Sequence, residues 1–422
     1  MTYRCRSAGG VGHSGRVLGP YRQLLTVRGL PSVLAWSLLG RLHLPGTPLA
    51  TTFLVAGWTG SYVASGVVSG LYTVGVAVGG PLRGRSADQG DPARLLIAIS
   101  LLYAIGMTAL AFAPSLVGPG WWPIAAAVAC GSGLAQPPVT QIARAAYPRL
   151  APDAAARHSL FTVEATLQEL LWVVGPVLIA VVVAVAGGRA GVLTCAGLAL
   201  AGSAGFAAAL HRTGLRTPVP RAGSPDGSVL RTPGIAWALA MSMCVVAPLT
   251  VLDMTVVAWA RDAGSSAVAG ALVAVWSIGS AVGGLVVGSR SAPPRLSRRI
   301  LLMAVGIAAL VPVLPPVATG SARLIGLVLA VGGVAIAPAL AAANSRIGEL
   351  APPGRAAEVF GWVMTAATVG SAITLPVSGW LLDHVGPAAA AAGAAALVLV
   401  AAVVSVRVPV GAPESSGRNA SV

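Results

Sequence analysis

The chain has no lysine. All 27 of its basic residues are arginine, and that absence removes chemistry. A phosphate-binding loop of the G-x-x-x-x-G-K-[ST] type needs its lysine, and so does Schiff-base catalysis. Acids number only 12 and histidines five. No serine stands in a G-x-S-x-G setting, so no catalytic constellation is present and an enzyme is not expected. The four cysteines, Cys5, Cys130, Cys195 and Cys244, form no C-x-x-C or metal spacing. They read as small packing residues, with no disulfide, metal or cofactor expected. Charged residues make up 9% of the chain and hydrophobic ones 56%, where a soluble domain carries about 25% charged residues. Too little polar surface exists to cover a water-soluble fold.

What is present is a series of long apolar stretches. Twelve are read, at 31–57, 61–82, 94–113, 121–146, 159–187, 190–211, 234–260, 265–288, 299–318, 322–348, 357–382 and 387–407. Each is near the ~20 residues that a helix needs to cross the hydrocarbon core. They are apolar all round, whereas barrel strands alternate. An all-α, twelve-helix membrane protein is therefore expected, seated in a lipid bilayer and monomeric.

The arginines orient it. Arg189, Arg261 and Arg323 fall on one set of gaps and Arg41 inside a span; the other 23 of the 27 lie in the tails and the alternate gaps. This bias places both termini in the cytoplasm of a plasma (inner) membrane protein. The net charge of +15 is spread over short loops and is not interleaved with aromatics, so no nucleic acid is expected. The basic tail, residues 1–30, lacks the order of a signal peptide.

Residues 212–233 are rich in Pro, Gly, Ser and Arg, a flexible linker composition. They divide a six-helix half at 31–211 from another at 234–407, followed by a tail at 408–422. The halves resemble each other. Pro48-Leu49 recurs as Pro248-Leu249, Ala77-Val78-Gly79-Gly80 as Ala281-Val282-Gly283-Gly284, and Gly133 with Pro138 as Gly333 with Pro338. Leu150-Ala151-Pro152 recurs as Leu350-Ala351-Pro352, and Pro176-Val177 as Pro376-Val377. Because six is even, such a repeat is parallel, with a pseudo-two-fold axis along the membrane normal.

Six plus six spans, a parallel repeat and a polar central linker resemble the major facilitator superfamily of secondary transporters, over roughly residues 30 to 408. The loop between spans 2 and 3 carries part of that family's G-x-L-x-D-R-x-G-R-R pattern: Gly84, Arg85 and Asp88 are in register, while Gln89 stands where an arginine is usual. In the family this loop latches two halves through charge and a helix end. Val174-Gly175-Pro176 resembles a fragment of an element seen in drug antiporters. The antiporters' arginine in span 4 has no counterpart between Trp121 and Ile142. The resemblance implies alternating access, with export of a small amphipathic organic molecule by proton antiport. The alternatives are a nutrient-uptake symporter and a non-transporting receptor or assembly factor with the same fold.

Ionisable residues inside spans are costly and point to a pathway or a partner. Four stand out: Arg41, Glu164, Glu169 and Asp253. Arg41 and Glu169 lie at similar depth, so they are expected to pair, for coupling or simply to lock the first half. Glu164 and Gln168 share a helix face, and Glu169 is turned roughly 140° away from Glu164. Glu164 is a proton-carrier candidate if unpaired, or else pairs with a loop arginine such as Arg157. Asp253 is read as a cation site, or as a carboxylate reaching outer water or Arg261. Pro45 and Pro48 in span 1 and Pro248 in span 7 predict helices interrupted at matching places, a pointer to a binding site. Gln136 and Gln141 flank Pro137-Pro138 as further cavity candidates, and His43 is read as a local hydrogen-bonding residue.

Overall fold

The computed structural model describes residues 27, 29–151, 154–215, 228–262, 266–288 and 295–409. Most of the N-terminal tail, the C-terminal tail from 410, the middle of the linker and the Arg261 side chain lie outside the described residues. The described chain is helical: α1 (Leu30–Arg41), α2 (Thr47–Thr59), α3 (Tyr62–Gln89), α4 (Pro92–Leu116), α5 (Trp122–Leu134), α6 (Val139–Leu150), α7 (Ala154–Arg212), α8 (Ile235–Asp262), α9 (Ser266–Gly288), α10 (Leu296–Ala308), α11 (Ala322–Gly333), α12 (Ile336–Leu350), α13 (Ala356–His384) and α14 (Pro387–Val406). Among the described residues, nine helices are long and apolar enough to cross a membrane. Many large apolar side chains point outward, such as Ile105, Val185 and Val403, as they must where the solvent is hydrocarbon.

Local sequence explains where helices stop and bend. In the first span Pro45 has no N–H to give to the Arg41 carbonyl, and Leu44 N takes that oxygen at 3.0 Å. The chain then restarts as α2 with Pro48 in its first turn, where a missing N–H costs nothing. The seventh span behaves differently from expectation. Helix α8 runs unbroken through Pro248, because one proline removes one bond, whereas Pro45-Gly46-Thr47-Pro48 removes two and adds a glycine. The helices broken at matching places are instead the fourth, at Ala135–Pro138 between α5 and α6, and the tenth, at Val334–Ala335 between α11 and α12. Helix α7 holds two apolar stretches and reverses at Gly187 (φ 80°, ψ 171°), a backbone region open essentially only to glycine. Gly175 and Ile179 lie against Pro45 and Gly46 on the way out, and Gly202 lies against Gly40 on the way back.

The first and last described residues lie on the same side as both ends of the linker. Gly29 packs against Thr213, and Gly234 against Pro409. Arg149 donates to the Leu215 carbonyl at 3.4 Å, and Arg346 to that of Pro409 at 3.2 Å. This face is called the linker side below, and the opposite one the far side.

Candidate functional site

A buried polar cluster sits where α1, α6 and α7 meet. Arg41 ends α1, ~17 Å from the linker-side start of that helix at 1.5 Å per residue. It is 2% exposed, and Glu164 of α7 is fully enclosed. Arg41 Nη1 donates to Glu164 Oε1 at 2.5 Å. The rest of the Arg41 fork is held within α1, Nε on the Ser37 carbonyl at 3.0 Å and Nη2 on Ser37 Oγ at 3.1 Å. Arg144 of α6 approaches the same carboxylate, Nε lying 3.3 Å from each oxygen. Its Nη2 donates to Gln168 Oε1 at 2.9 Å and its Nη1 to Asn344 Oδ1 of α12 at 3.3 Å. The guanidinium also lies over the Phe360 ring, 5.7 Å from its centre.

Two expectations are corrected here. Arg41 pairs with Glu164 and not with Glu169, because the turn between the two acids puts Glu169 on another face of α7. Glu164 is neither unpaired nor joined to Arg157; two arginines from inside the bundle hold it. Between Trp121 and Ile142 there is no arginine, and Arg144 stands two residues beyond. Arg144 is one of the 23 arginines read with the tails and gaps, because the apolar run fades there. The repeat held the missing signal: Arg144 and Asn344 each lie seven residues before the matching Ala151 and Ala351, so two polar side chains occupy one repeat position. Arg83 was likewise counted with a loop. It is buried, and it donates to the carbonyls of Gly133 (2.8 Å), Leu134 (3.0 Å) and Val76 (3.1 Å). It thereby satisfies oxygens left open where α5 ends.

Helices from before and after the linker meet on the linker side. Asp88, near the end of α3, accepts from the first-turn amides of α13, Ala357 N at 3.1 Å and Glu358 N at 2.7 Å. A carboxylate is favoured there by the orphan N–H groups and the dipole of the helix end. Gly84 permits this approach, since a Cβ on it would overlap the Ala357 carbonyl. Arg85 beside it is exposed. One turn further in, Gly80 crosses Gly361, and Thr365 Oγ1 donates to the Ala77 carbonyl at 2.5 Å. On the other flank Gly284 of α9 packs on the Thr166 side chain of α7. Phe161 and Phe360, with ring centres 6.4 Å apart, fill the middle. Together these contacts seal the linker side.

Beyond the seal are two more carboxylates. Glu169 of α7 is half-buried and Asp253 of α8 is exposed. Counted along their helices they lie ~22 Å and ~27 Å from the linker-side ends. Among the described residues neither forms an ion pair. Gln136 sits in the break of the fourth span, 7% exposed, and its Oε1 has no hydrogen-bond partner among the described residues. Gln141 is buried on α6, and buried His43, in the break of the first span, packs on the Tyr103 ring with centres 5.3 Å apart. The structure thus joins Arg41, Glu164, Gln168 and Arg144 in one cluster, and Glu169 and Asp253 share no hydrogen bond or ion pair with it or with each other among the described residues. It does not bring all four ionisable residues to one point.

Compared by sequence with curated proteins, the chain finds no match. Residues 238–421 match the family model described as Major Facilitator Superfamily. Solved structures with a similar fold include a bacterial homologue of the iron transporter ferroportin in an outward-facing state. It is 14% identical, with 90% of this chain and 98% of that one covered at a TM-score of 0.73. The human organic anion transporter MFSD10 (TETRAN) is 18% identical, with 91% and 99% covered at 0.63. The proton:xylose symporter XylE bound to 6-bromo-6-deoxy-D-glucose is 16% identical, with 90% and 95% covered at 0.67. The chain therefore has the fold of the major facilitator superfamily, and its second half carries that family's sequence pattern.

Proposed function

We propose that the protein is a secondary active transporter. Two six-helix halves, 31–211 and 234–407, rock about a central site, with both termini in the cytoplasm. Its cargo is a small amphipathic organic molecule bearing a positive charge, exported in exchange for protons. The observation that carries this reading is the presence of Glu169 and Asp253, one carboxylate from each side of the linker, beyond the linker-side contacts, with no ion pair among the described residues. A carboxylate inside the membrane is relieved either by a proton or by a cationic group, and the two compete, which is the logic of an antiporter. Glu164 is unsuited to that task, because Arg41 and Arg144 already hold it. Its cluster serves as the rigid wall of the first half.

The test uses the full chain in vesicles loaded with a cationic dye under an imposed pH gradient. Gradient-driven dye movement is expected, and E169Q and D253N should each abolish it while dye binding weakens. Movement that ignores the gradient and survives both substitutions removes the proposal.

A further inference from the structure

A groove of about 1010 Å³ opens on the outer surface of the bundle between α9, α10 and α11. Its walls are apolar and outward-facing, with Leu302, Val305, Leu327 and Val331 each more than half exposed. At its linker-side mouth stand Arg295, Arg298 and Arg299, around the first turn of α10, and no acid is among its lining residues. Arg295 and Arg298 are exposed, while Arg299 donates to the Pro338 carbonyl at 3.4 Å. From Arg295 to Ala309 the groove follows α10 for ~21 Å, somewhat more than the ~15 Å depth of one leaflet's hydrocarbon.

We propose that this groove is a binding site for an anionic glycerophospholipid of the linker-side leaflet. Its phosphodiester rests on Arg295 and Arg298, and an acyl chain lies along Leu302, Val305 and Val331. The charge pattern separates this site from ordinary loop arginines. The groove at the start of α4, about 750 Å³, also carries Arg94 and Arg212, but there Asp91 lies 3.7 Å from the Arg94 guanidinium. Of these two grooves, the α10 groove is the one that sets exposed arginines, Arg295 and Arg298, over an apolar slot with no acid among its lining residues. Guanidinium forks suit phosphate oxygens, and basic pockets between membrane helices on one face are where anionic head groups gather.

The test places the full chain in nanodiscs of phosphatidylcholine with phosphatidylglycerol, extracts it, and measures retained lipid by native mass spectrometry. Phosphatidylglycerol should be retained over phosphatidylcholine by on the order of tenfold. R295Q/R298Q should remove that preference. L302W, which fills the slot and leaves the arginines in place, should remove retention as well. Equal retention of the two lipids by the unaltered chain overturns the proposal. So does undiminished phosphatidylglycerol on R295Q/R298Q. Retention by L302W at the unaltered level shows surface charge attraction without a slot, and displacement of the lipid by inorganic phosphate alone shows a simple anion seat; either overturns it. Elution volume and helical signal of each variant are checked against the unaltered chain, and a variant that fails that check is replaced by R298Q or V331W.

Discussion

Moving 200 residues down the chain from Arg41, Arg144, Glu164 and Gln168 reaches Met241, Asn344, Met364 and Thr368. The first set is an ion-paired cluster. The second is two methionines and two neutral polar residues, with Thr368 bonded only to its own helix. The charge-assisted bonds of the first set thus join helices before the linker, whereas the buried Arg355–Glu358 pair after it lies within the start of α13. What crosses to the later helices is weaker: one neutral acceptor, Asn344, and one aromatic face, Phe360. The two seams of the seal differ in the same manner. Between α3 and α13 glycine meets backbone, with Asp88 as a clasp. Between α7 and α9 Gly284 meets the side chain of Thr166. The ion pairs of the cluster are thus internal to the helices before the linker, and the bonds that cross to the later helices, those of Asp88 included, are few.

The largest expected effect breaks the first contrast. Glu164→Ala leaves two buried guanidiniums without their carboxylate, and removing one partner of a buried pair costs about 3–5 kcal/mol. Met364→Leu, at the equivalent position, should cost less than about 1.5 kcal/mol. Thermal unfolding of both variants in detergent tests this, and equal losses would erase the asymmetry. Next come the seams. Gly84→Ala drives a methyl into the Ala357 carbonyl and should cost about 1–3 kcal/mol, widening the linker-side distance between spin labels on α3 and α13. Gly284→Ala meets a Thr166 hydroxyl that can turn aside and should shift the matching α7–α9 distance less. A reversed order would show that the α7–α9 seam is the tighter one.

Asp88→Asn removes the charge at the α13 N-terminus and keeps an acceptor. A loss of about 1 kcal/mol should raise the labelling rate of a cysteine at Ala87 roughly fivefold, measured in a background free of other cysteines. An unchanged rate would reduce Asp88 to a local cap. Smallest is Asn344→Ala, which deletes one neutral acceptor and should cost about 0.5–1.5 kcal/mol. A loss matching that of Glu164→Ala would mean that the cross-linker bond carries as much as the internal pair.

The apolar stretches were legible because lipid leaves the sequence little choice: every span must be long and apolar. Even the reversal at Gly187 falls at the end of the stretch read as 159–187. Partners inside the bundle were less legible. Arg41 was paired by depth alone, and depth says nothing about which face a helix turns to its neighbour. Arg144 and Arg83 looked like loop charges because each stands near the end of an apolar run. Proline pointed to the break in the first span and wrongly to one at Pro248, while the breaks in the fourth and tenth spans, beside Pro137-Pro138 and just before Pro338, were not read as breaks.

The tight reversal at Gly187 leaves no spare chain between the outgoing and returning limbs of α7. The outgoing limb bears Glu164 and Glu169, and the returning limb is wedged against Gly40. A tilt of the first must therefore drag the second, as two oars lashed at the blade swing as one. Lengthening that joint by a few flexible residues would let the acids drift independently of the wall behind them.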